Sequence, residues 1–164
     1  MGPAYATSDA ELLAQCDATS SSTHSPGGQH RNKAESAVRL RHRPSGLVAQ
    51  CEAHRDRADN RAEALRRLRI RLAVQDRGAA DPRWLDAHRV GKGLALGPEN
   101  AHYARVIACV LDALAMAEGQ LGDAAMALGL SSSQVTKILG LDKEVLHAAN
   151  RLRAAAGLAA LRRG

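Results

Sequence analysis

The stretch AVRLRHRPSGLVAQC, residues 37–51, decides the fold of the first half of the chain. Its side chains alternate with a period of two: Val38, Leu40 and His42 fall on one face, and arginines fill the other. This pattern predicts a strand with one buried and one basic face. Pro44 and Gly46 then occupy the second and fourth positions of a type I turn. The residues after the turn therefore return as the second strand of a hairpin.

Helices are predicted on both sides of this hairpin. Before it, Ser8 caps a short helix, DAELLAQ, that ends near Cys16, and a Ser/Thr-rich stretch follows as an irregular strand leading into a loop. After the hairpin, a helix is predicted from Arg57 to Ala73, with arginines on its polar face. Its apolar positions are Ala58, Ala62, Leu65, Leu68 and Leu72. Together these elements form a small α+β domain with a mixed sheet, a hairpin and a packed helix.

The second half of the chain is predicted to be helical. Residues 76–100 are rich in Gly, Pro and Asp and indicate a linker with one helical turn near Trp84. Four helical patterns follow, and the segment DAAMALGLSSSQVTKIL within them resembles a helix-turn-helix. Its second helix carries one basic residue, Lys137, so docking on protein or ribosome is favoured over sequence-specific DNA binding. The predicted domains are 1–75, a linker at 76–100, and an all-α helix-turn-helix-like domain at 101–164.

Composition and charge indicate a polyanionic partner. The formal net charge is +6, and residues 29–71 alone hold twelve basic side chains against five acidic ones. The first 30 residues contain no Lys or Arg, which argues against a secretory leader or a transit peptide. Three widely spaced cysteines without a CxxC pair predict no disulfide framework and fit a reducing cytoplasm. The longest apolar stretch is interrupted by Asp112 and is too short to span a membrane.

The segment HSPGGQHRNK, residues 24–33, joins a flexible turn to the start of the basic region. Adjacent glycines most often serve a turn that needs positive φ. A phosphate-binding P-loop is excluded, because no Gly-Lys-Ser/Thr ending follows the glycines. The longer stretch GGQHRNKAESAVRLRHRPSG, residues 27–46, resembles the catalytic domain of class I peptide chain release factors and related ribosome-rescue peptidyl-tRNA hydrolases. The family pattern is Gly-Gly-Gln, His, a variable residue, Asn-Lys, then Ser/Thr-Ala-Val-Arg and a Pro-Ser/Thr-Gly turn.

The resemblance covers about residues 16–73 and departs from the family at two places. Ser25 stands where the family has Gly or Ala. In RDRADNR, residues 55–61, the family's Arg55, Asn60 and Arg61 are kept, but its Ser-Gln pair is missing. These departures concern the docking of the helix more than the catalytic turn.

The resemblance implies hydrolysis of the ester between a nascent peptide and P-site tRNA. It assigns catalysis to Gly27, Gly28 and Gln29: the backbone N–H of Gln29 stabilises the oxyanion, and its side chain positions water. No cofactor is implied. The same resemblance and the local charge give a set of residues expected to contact RNA: His30, Arg31, Asn32, Lys33, Arg39, Arg41, Arg43, Arg55 and Arg61.

Two other chemical interpretations are weighed against this one. His30 follows Gln29 and is a conceivable general base, but packing or RNA contact is the favoured role. Cys51 and His54 have a C-x-x-H spacing, yet no second pair supports zinc, so no metal site is predicted.

About two dozen residues precede Gly27, which leaves no room for a codon-reading domain. The sequence therefore predicts a codon-independent hydrolase acting on stalled ribosomes. Its partners would be the rRNA of the peptidyl transferase centre and P-site peptidyl-tRNA. We expect a cytoplasmic monomer without a membrane partner. The alternative is a nonenzymatic RNA- or DNA-binding protein that uses the basic face and the C-terminal helix-turn-helix.

Overall fold

The computed structural model describes residues 2–20 and 35–164 and has a mixed α and β content, which confirms the α+β class. A short 3-10 helix, Ala4–Ala6, precedes the regular elements. The helices are α1 (Asp9–Ala14), α2 (Arg57–Gln75), α3 (Arg83–Asp86), α4 (Tyr103–Met116), α5 (Leu121–Leu128), α6 (Ser132–Gly140) and α7 (Lys143–Ala155). The strands are β1 (Cys16–Thr19), β2 (Val38–His42), β3 (Val48–Cys51), β4 (Arg89–Val90) and β5 (Gly93–Leu94).

The chain divides into two compact units. We call residues 7–72 the sheet unit, and residues 1–6 together with 73–164 the helical unit. The division predicted from the sequence, with a linker at 76–100, stays a prediction. No helix in the described ranges 2–20 and 35–164 is long and apolar enough to cross a membrane.

The sheet unit contains a three-stranded sheet in the order β1-β2-β3. The hairpin prediction is confirmed, since Val38 pairs with Cys51 and Arg41 with Val48, and buried and exposed side chains alternate along β2. A mixed sheet was expected, and this was wrong for the described strands, which pair antiparallel throughout. The physical reason is that each strand pairs with its neighbour in the chain, whereas a parallel pair needs a long crossover connection.

Both predicted helices of the sheet unit are present. Ser8 caps α1 in a reciprocal box with Glu11, as expected from its position before the apolar run. The apolar face of α2 differs from the prediction at its start, because Ala58 and Ala62 are exposed while Asn60 and Ala64 are fully buried. A polar residue can take this core position because its amide is fully hydrogen-bonded.

The helical unit is built around α4, whose buried side chains include Tyr103, Ile107 and Leu114. Helices α5, α6 and α7 pack against it, which confirms four helices after residue 100. The predicted helical turn near Trp84 is α3. The hairpin of β4 and β5 was not predicted, because its strands have two residues each and are too short to show a period of two.

Candidate functional site

The residues expected to catalyse the reaction, Gly27, Gly28 and Gln29, lie outside the described residues. Four of the expected RNA contacts lie there too: His30, Arg31, Asn32 and Lys33. The strands on either side are described, and Thr19 at the end of β1 pairs with Arg39 near the start of β2. The chain therefore leaves the sheet and returns to it at one end of the same antiparallel strand pair. This fixes where both ends of residues 21–34 are attached.

Arg43 ties the opposite end of the β1-β2 pair to α1. Its guanidinium donates to the carbonyl oxygens of Ala14 at 2.5 Å and Cys16 at 3.0 Å, and to Asp17 Oδ1 at 3.0 Å. Arg41 lies 4.0 Å from the same carboxylate. Arg43 is thus engaged within the sheet unit, so it is the least available to RNA of the expected contacts that are described.

His42, at the end of β2 next to the hairpin turn, is buried and forms a polar cluster with Ser45 and Gln15. Its Nδ1 accepts from the Ser45 backbone N–H at 3.3 Å and lies 2.7 Å from Ser45 Oγ, while Nε2 lies 2.9 Å from Gln15 Oε1. Because Nδ1 accepts and Gln15 offers an oxygen, the ring is the neutral tautomer protonated at Nε2. Burial lowers the pKa of His42, and the nearby Arg43 charge lowers it further.

The Ser45–His42–Gln15 arrangement has the spacing of a hydrolytic triad but not its electrostatics. A catalytic histidine must become an imidazolium, and a carboxylate normally stabilises that charge. Here an amide replaces the carboxylate, and burial favours the neutral ring. In addition, Ser45 Oγ accepts from the Leu47 backbone N–H at 3.2 Å. The cluster therefore stabilises the turn and supplies no nucleophile.

Asn60 is the central polar residue at the other end of the hairpin. Its Nδ2 donates to the carbonyl oxygens of Ser36 at 2.9 Å and His54 at 2.8 Å. Its Oδ1 accepts from the His54 N–H at 2.9 Å and from Cys51 Sγ at 3.3 Å. Sequence reasoning assigned Asn60 no role. The available signal was its spacing of four and eight residues from Ala64 and Leu68, which places it on the buried face of α2.

The arginines of α2 separate into two groups. Those in the second half of the helix make internal contacts. Arg67 donates to the Gln50 carbonyl at 2.9 Å, and Arg71 donates to that of Val48. Arg69 is buried and binds the Thr7 carbonyl and Asp9 Oδ1, both at 2.6 Å. With Asn60 near Cys51, these contacts run α2 antiparallel along β3, so this half of the helix serves the fold.

Glu63 reinforces this arrangement on the helix surface. One oxygen accepts from Arg66 Nε at 2.8 Å, and the other accepts from Arg66 Nη2 and Arg67 Nε, each at 2.8 Å. These bonds, above all those from Arg66, lower the pKa of Glu63 to about 2. The carboxylate is therefore ionised at any physiological pH and holds Arg67 toward β3.

The other group of arginines is exposed and available. Within residues 2–20 and 35–164, these side chains form no ion pair and no side-chain hydrogen bond. They are Arg57 and Arg61 in the first half of α2 and, outside this helix, Arg39 on β2 and Arg55 in the loop before α2. Three of them were expected to contact RNA, and Arg57 joins them on structural grounds. Guanidinium groups without internal partners are the ones able to neutralise phosphates.

The cysteines offer no reactive thiolate or metal centre in the described part of the chain. Cys51 donates to Asn60, and Cys16 donates to the Leu12 carbonyl at 3.2 Å. Burial raises the pKa of Cys16, and it raises the pKa of Cys109 to about 11. Among the same residues, no group of three or more His, Cys, Asp or Glu side chains could hold a metal ion.

The C-terminal segment is hydrogen-bonded within the helical unit. Asn150 exchanges two hydrogen bonds with the backbone of Leu161, at 2.7 and 3.0 Å. Arg153 Nε donates to the Ala159 carbonyl, and Arg163 Nε donates to that of Gly140 at the end of α6, each at 2.8 Å. The C-terminal segment that carries Arg163 is thus docked on α6 and α7.

The turn between α5 and α6 has a well-defined local structure. Gly129 ends α5 with a positive φ of 65°, a conformation that glycine adopts without steric cost. Leu130 is buried, and Ser131 caps α6 in a reciprocal box with Gln134. Lys137 is exposed on α6. The predicted cap at Ser131 is therefore confirmed.

Comparison with known proteins places a family resemblance on the first half of the chain. Residues 14–92 match the RF-1 domain family. The chain is 46% identical over 67 residues to peptide chain release factor 1 of Rhodospirillum rubrum, which is 41% of this chain and 19% of that protein. It is 54% identical over 46 residues to peptide chain release factor 2 of Acidithiobacillus ferrooxidans, which is 28% of this chain and 13% of that protein.

These relatives are much longer than the region they share with this chain. The matched part is less than a fifth of each of the two release factors. No solved structure matches the chain. The similarity therefore identifies a domain and leaves the activity of the whole protein to be proposed.

Proposed function

We propose that this chain, whose residues 14–92 form an RF-1 domain of the class I peptide chain release factor-like family, hydrolyses peptidyl-tRNA on ribosomes. The observation that carries the proposal is the Gly27-Gly28-Gln29 sequence inside this domain, in the connection between β1 and β2. The reaction is attack of water on the ester carbonyl that joins the peptide to the terminal ribose. The bond between the acyl carbon and the ribose oxygen breaks, the ribose oxygen takes up a proton, and the released products are the peptide acid and the tRNA hydroxyl.

The chemistry is assigned to the backbone of residue 29. The tetrahedral intermediate carries negative charge on the former carbonyl oxygen, and one oriented N–H donor at this point is worth about 3 kcal/mol. Gln29 supplies that donor, and its side chain positions water and excludes larger nucleophiles. Gly27 and Gly28 leave room for the tRNA end. This assignment needs no protein nucleophile, in agreement with the neutral, internally bonded Ser45–His42 pair.

RNA binding is assigned to the exposed arginines of the sheet unit and to the polar residues that follow Gln29 in the sequence. Arg39, Arg55, Arg57 and Arg61 are the available arginines, together with His30, Arg31, Asn32 and Lys33 of the segment itself. Contacts of this kind act on phosphate and are insensitive to base identity. They orient the domain on rRNA and on the P-site tRNA.

We further propose that hydrolysis is codon-independent and serves stalled ribosomes. The helical unit would dock on the ribosome through the helix-turn-helix-like segment, residues 123–139. The helix cap at Ser131 and the buried Leu130 in the turn between the two helices support a rigid helix pair. A single exposed cation on α6, Lys137, argues for protein or shape recognition over DNA readout.

The test is release of labelled peptide from purified ribosomes that carry peptidyl-tRNA in the P site. Ribosomes with an empty A site and no downstream mRNA are compared with ribosomes that present a stop codon or a sense codon. We expect release from the first complex without a requirement for a stop codon. Release that needs a stop codon would refute codon independence, and no release from any complex would refute the proposed enzyme.

A further inference from the structure

The return of the chain into the sheet is held by one buried side chain. Asn60 is fully buried, and Ser36 lies two residues before Val38, where β2 begins. The Asn60 carboxamide binds the Ser36 carbonyl at 2.9 Å, and its Nδ2 also lies 3.3 Å from Ser36 Oγ. Ser36 Oγ in turn donates to the His54 carbonyl at 3.1 Å. Ser36, which lies outside the β2 ladder, is thereby held by side-chain hydrogen bonds.

The same carboxamide reaches the two neighbouring elements. It joins Cys51 at the end of β3 and both backbone groups of His54 in the loop before α2. Both amide hydrogens and the carbonyl oxygen of Asn60 are therefore used. A satisfied buried network of this kind holds its partners in one geometry.

This hydrogen-bond network lies close in the sequence to the proposed catalytic residue Gln29. Ser36 is seven residues after Gln29 and two residues after the end of residues 21–34. On the other side of those residues in the sequence, Thr19 of β1 pairs with Arg39 of β2. Reactive groups must be held within about half an ångström of their working geometry, and a supporting set of hydrogen bonds normally provides this.

We infer that Asn60 is a positioning residue for the proposed hydrolysis, because its carboxamide anchors Ser36, which follows Gln29 by seven residues in the chain. The inference rests on the proposed function. Asn60 touches no substrate in this account, and it acts only through the backbone that it holds. Loss of the anchor should therefore reduce the rate of the chemical step and leave ribosome affinity unchanged.

The experiment measures single-turnover peptide release and ribosome binding separately for Asn60→Ala and Asn60→Asp. The aspartate variant is nearly isosteric but cannot donate to the Ser36 and His54 carbonyls. The matched control is Leu68→Ala, because Leu68 is also fully buried and lies two turns further along α2. Thermal unfolding of each variant identifies the temperature at which all three are folded.

We expect both Asn60 variants to lower the maximal release rate at least tenfold, with half-saturating ribosome concentration within twofold of wild type. Leu68→Ala should keep its release rate at a temperature where it is folded, even if it loses as much stability. Equal rates in Asn60→Ala and wild type would overturn the inference. So would an equal loss in Leu68→Ala, which would reduce Asn60 to a general stabilising role.

If neither Asn60 variant folds, Ser36→Ala decides the question, because it removes only the hydroxyl contacts of the anchor. A release rate at least threefold below wild type supports the inference, and an unchanged rate overturns it. If the wild-type protein releases nothing, the proposed function fails instead. Hydrogen exchange then tests the anchor alone: faster exchange at Ser36 and His54 in Asn60→Ala than in Leu68→Ala supports it, and equal exchange overturns it.

Discussion

The division of the arginines predicts which charges bind RNA. Replacing Arg55 and Arg61 by glutamine removes two exposed guanidinium groups that have no partner among the described residues. Each lost phosphate contact should reduce the slope of log affinity against log salt by about 0.7 to 0.9. The magnitude of the slope should therefore fall by about 1.4 to 1.8 in the double variant. For each contact removed, the loss of affinity between 50 and 200 mM salt becomes roughly threefold smaller.

The control variant also removes two positive charges, but from arginines that are hydrogen-bonded within the sheet unit. In the variant Arg66→Gln with Arg67→Gln, the lost groups are those that bind Glu63 and the Gln50 carbonyl. Its salt slope should stay within about 0.3 of wild type, while its stability falls. Ribosome binding is measured by fluorescence anisotropy of labelled protein across a potassium chloride series. Equal slope changes in the two double variants would refute the assignment, as would no change in Arg55→Gln with Arg61→Gln.

Three further predictions concern stability. Burial lowers the pKa of His42, so its contribution to the free energy of unfolding is present above the unfolded-state pKa of about 6.5 and is lost as pH falls below it. The free energy of unfolding measured in urea should therefore decrease from pH 7 to 5 in the wild type, and decrease less in His42→Gln. The pKa of Glu63 is lowered to about 2, so its contribution to the free energy of unfolding is lost as pH falls below about 4.5. In urea unfolding, Glu63→Gln should lower this free energy by about 1 kcal/mol at pH 7 and by less at pH 3.5. Asp112 accepts from the Gly78 and Ala80 backbone N–H groups at 2.9 and 3.3 Å and lies 3.4 Å from Arg77, so Asp112→Asn should destabilise the helical unit by about 2 kcal/mol in urea unfolding.

Each of these stability predictions has a result that would contradict it. For His42, it is the same loss of stability with acid in wild type and in His42→Gln. For Glu63, it is a cost in Glu63→Gln that stays constant from pH 7 to pH 3.5. For Asp112, it is an unfolding midpoint equal to that of wild type, with Asp123→Asn as an exposed control on α5.

Local patterns predicted most of the regular structure. The alternation along β2 and the caps at Ser8 and Ser131 are determined by residues close in the chain. Physical preferences of this kind act over a few residues and are readable in one sequence. The β4-β5 hairpin was not predicted, because strands of two residues are too short to show an alternating pattern.

Local sequence patterns could not predict which partners the polar side chains bind, because those partners are distant in the sequence. Arg69 binds Asp9 sixty residues away, and Asn60 binds Ser36 across twenty-four. Nothing in composition distinguishes Arg69, which is buried, from Arg61, which is exposed. Tertiary contacts determine which arginine of a basic helix serves the fold and which remains available for RNA. The candidate catalytic residues rest on sequence similarity alone, since they lie outside the described residues.

The most direct test of the central claim compares two substitutions at residue 29 in the ribosome release assay. Gln29→Pro removes the backbone N–H that is proposed to stabilise the oxyanion, whereas Gln29→Ala keeps it and removes only the side chain. The account predicts a loss of about 10²-fold or more in Gln29→Pro relative to Gln29→Ala at saturating ribosomes, with ribosome binding unchanged in both variants. Release by Gln29→Pro at the rate of Gln29→Ala, or no release by the wild-type protein, would contradict it.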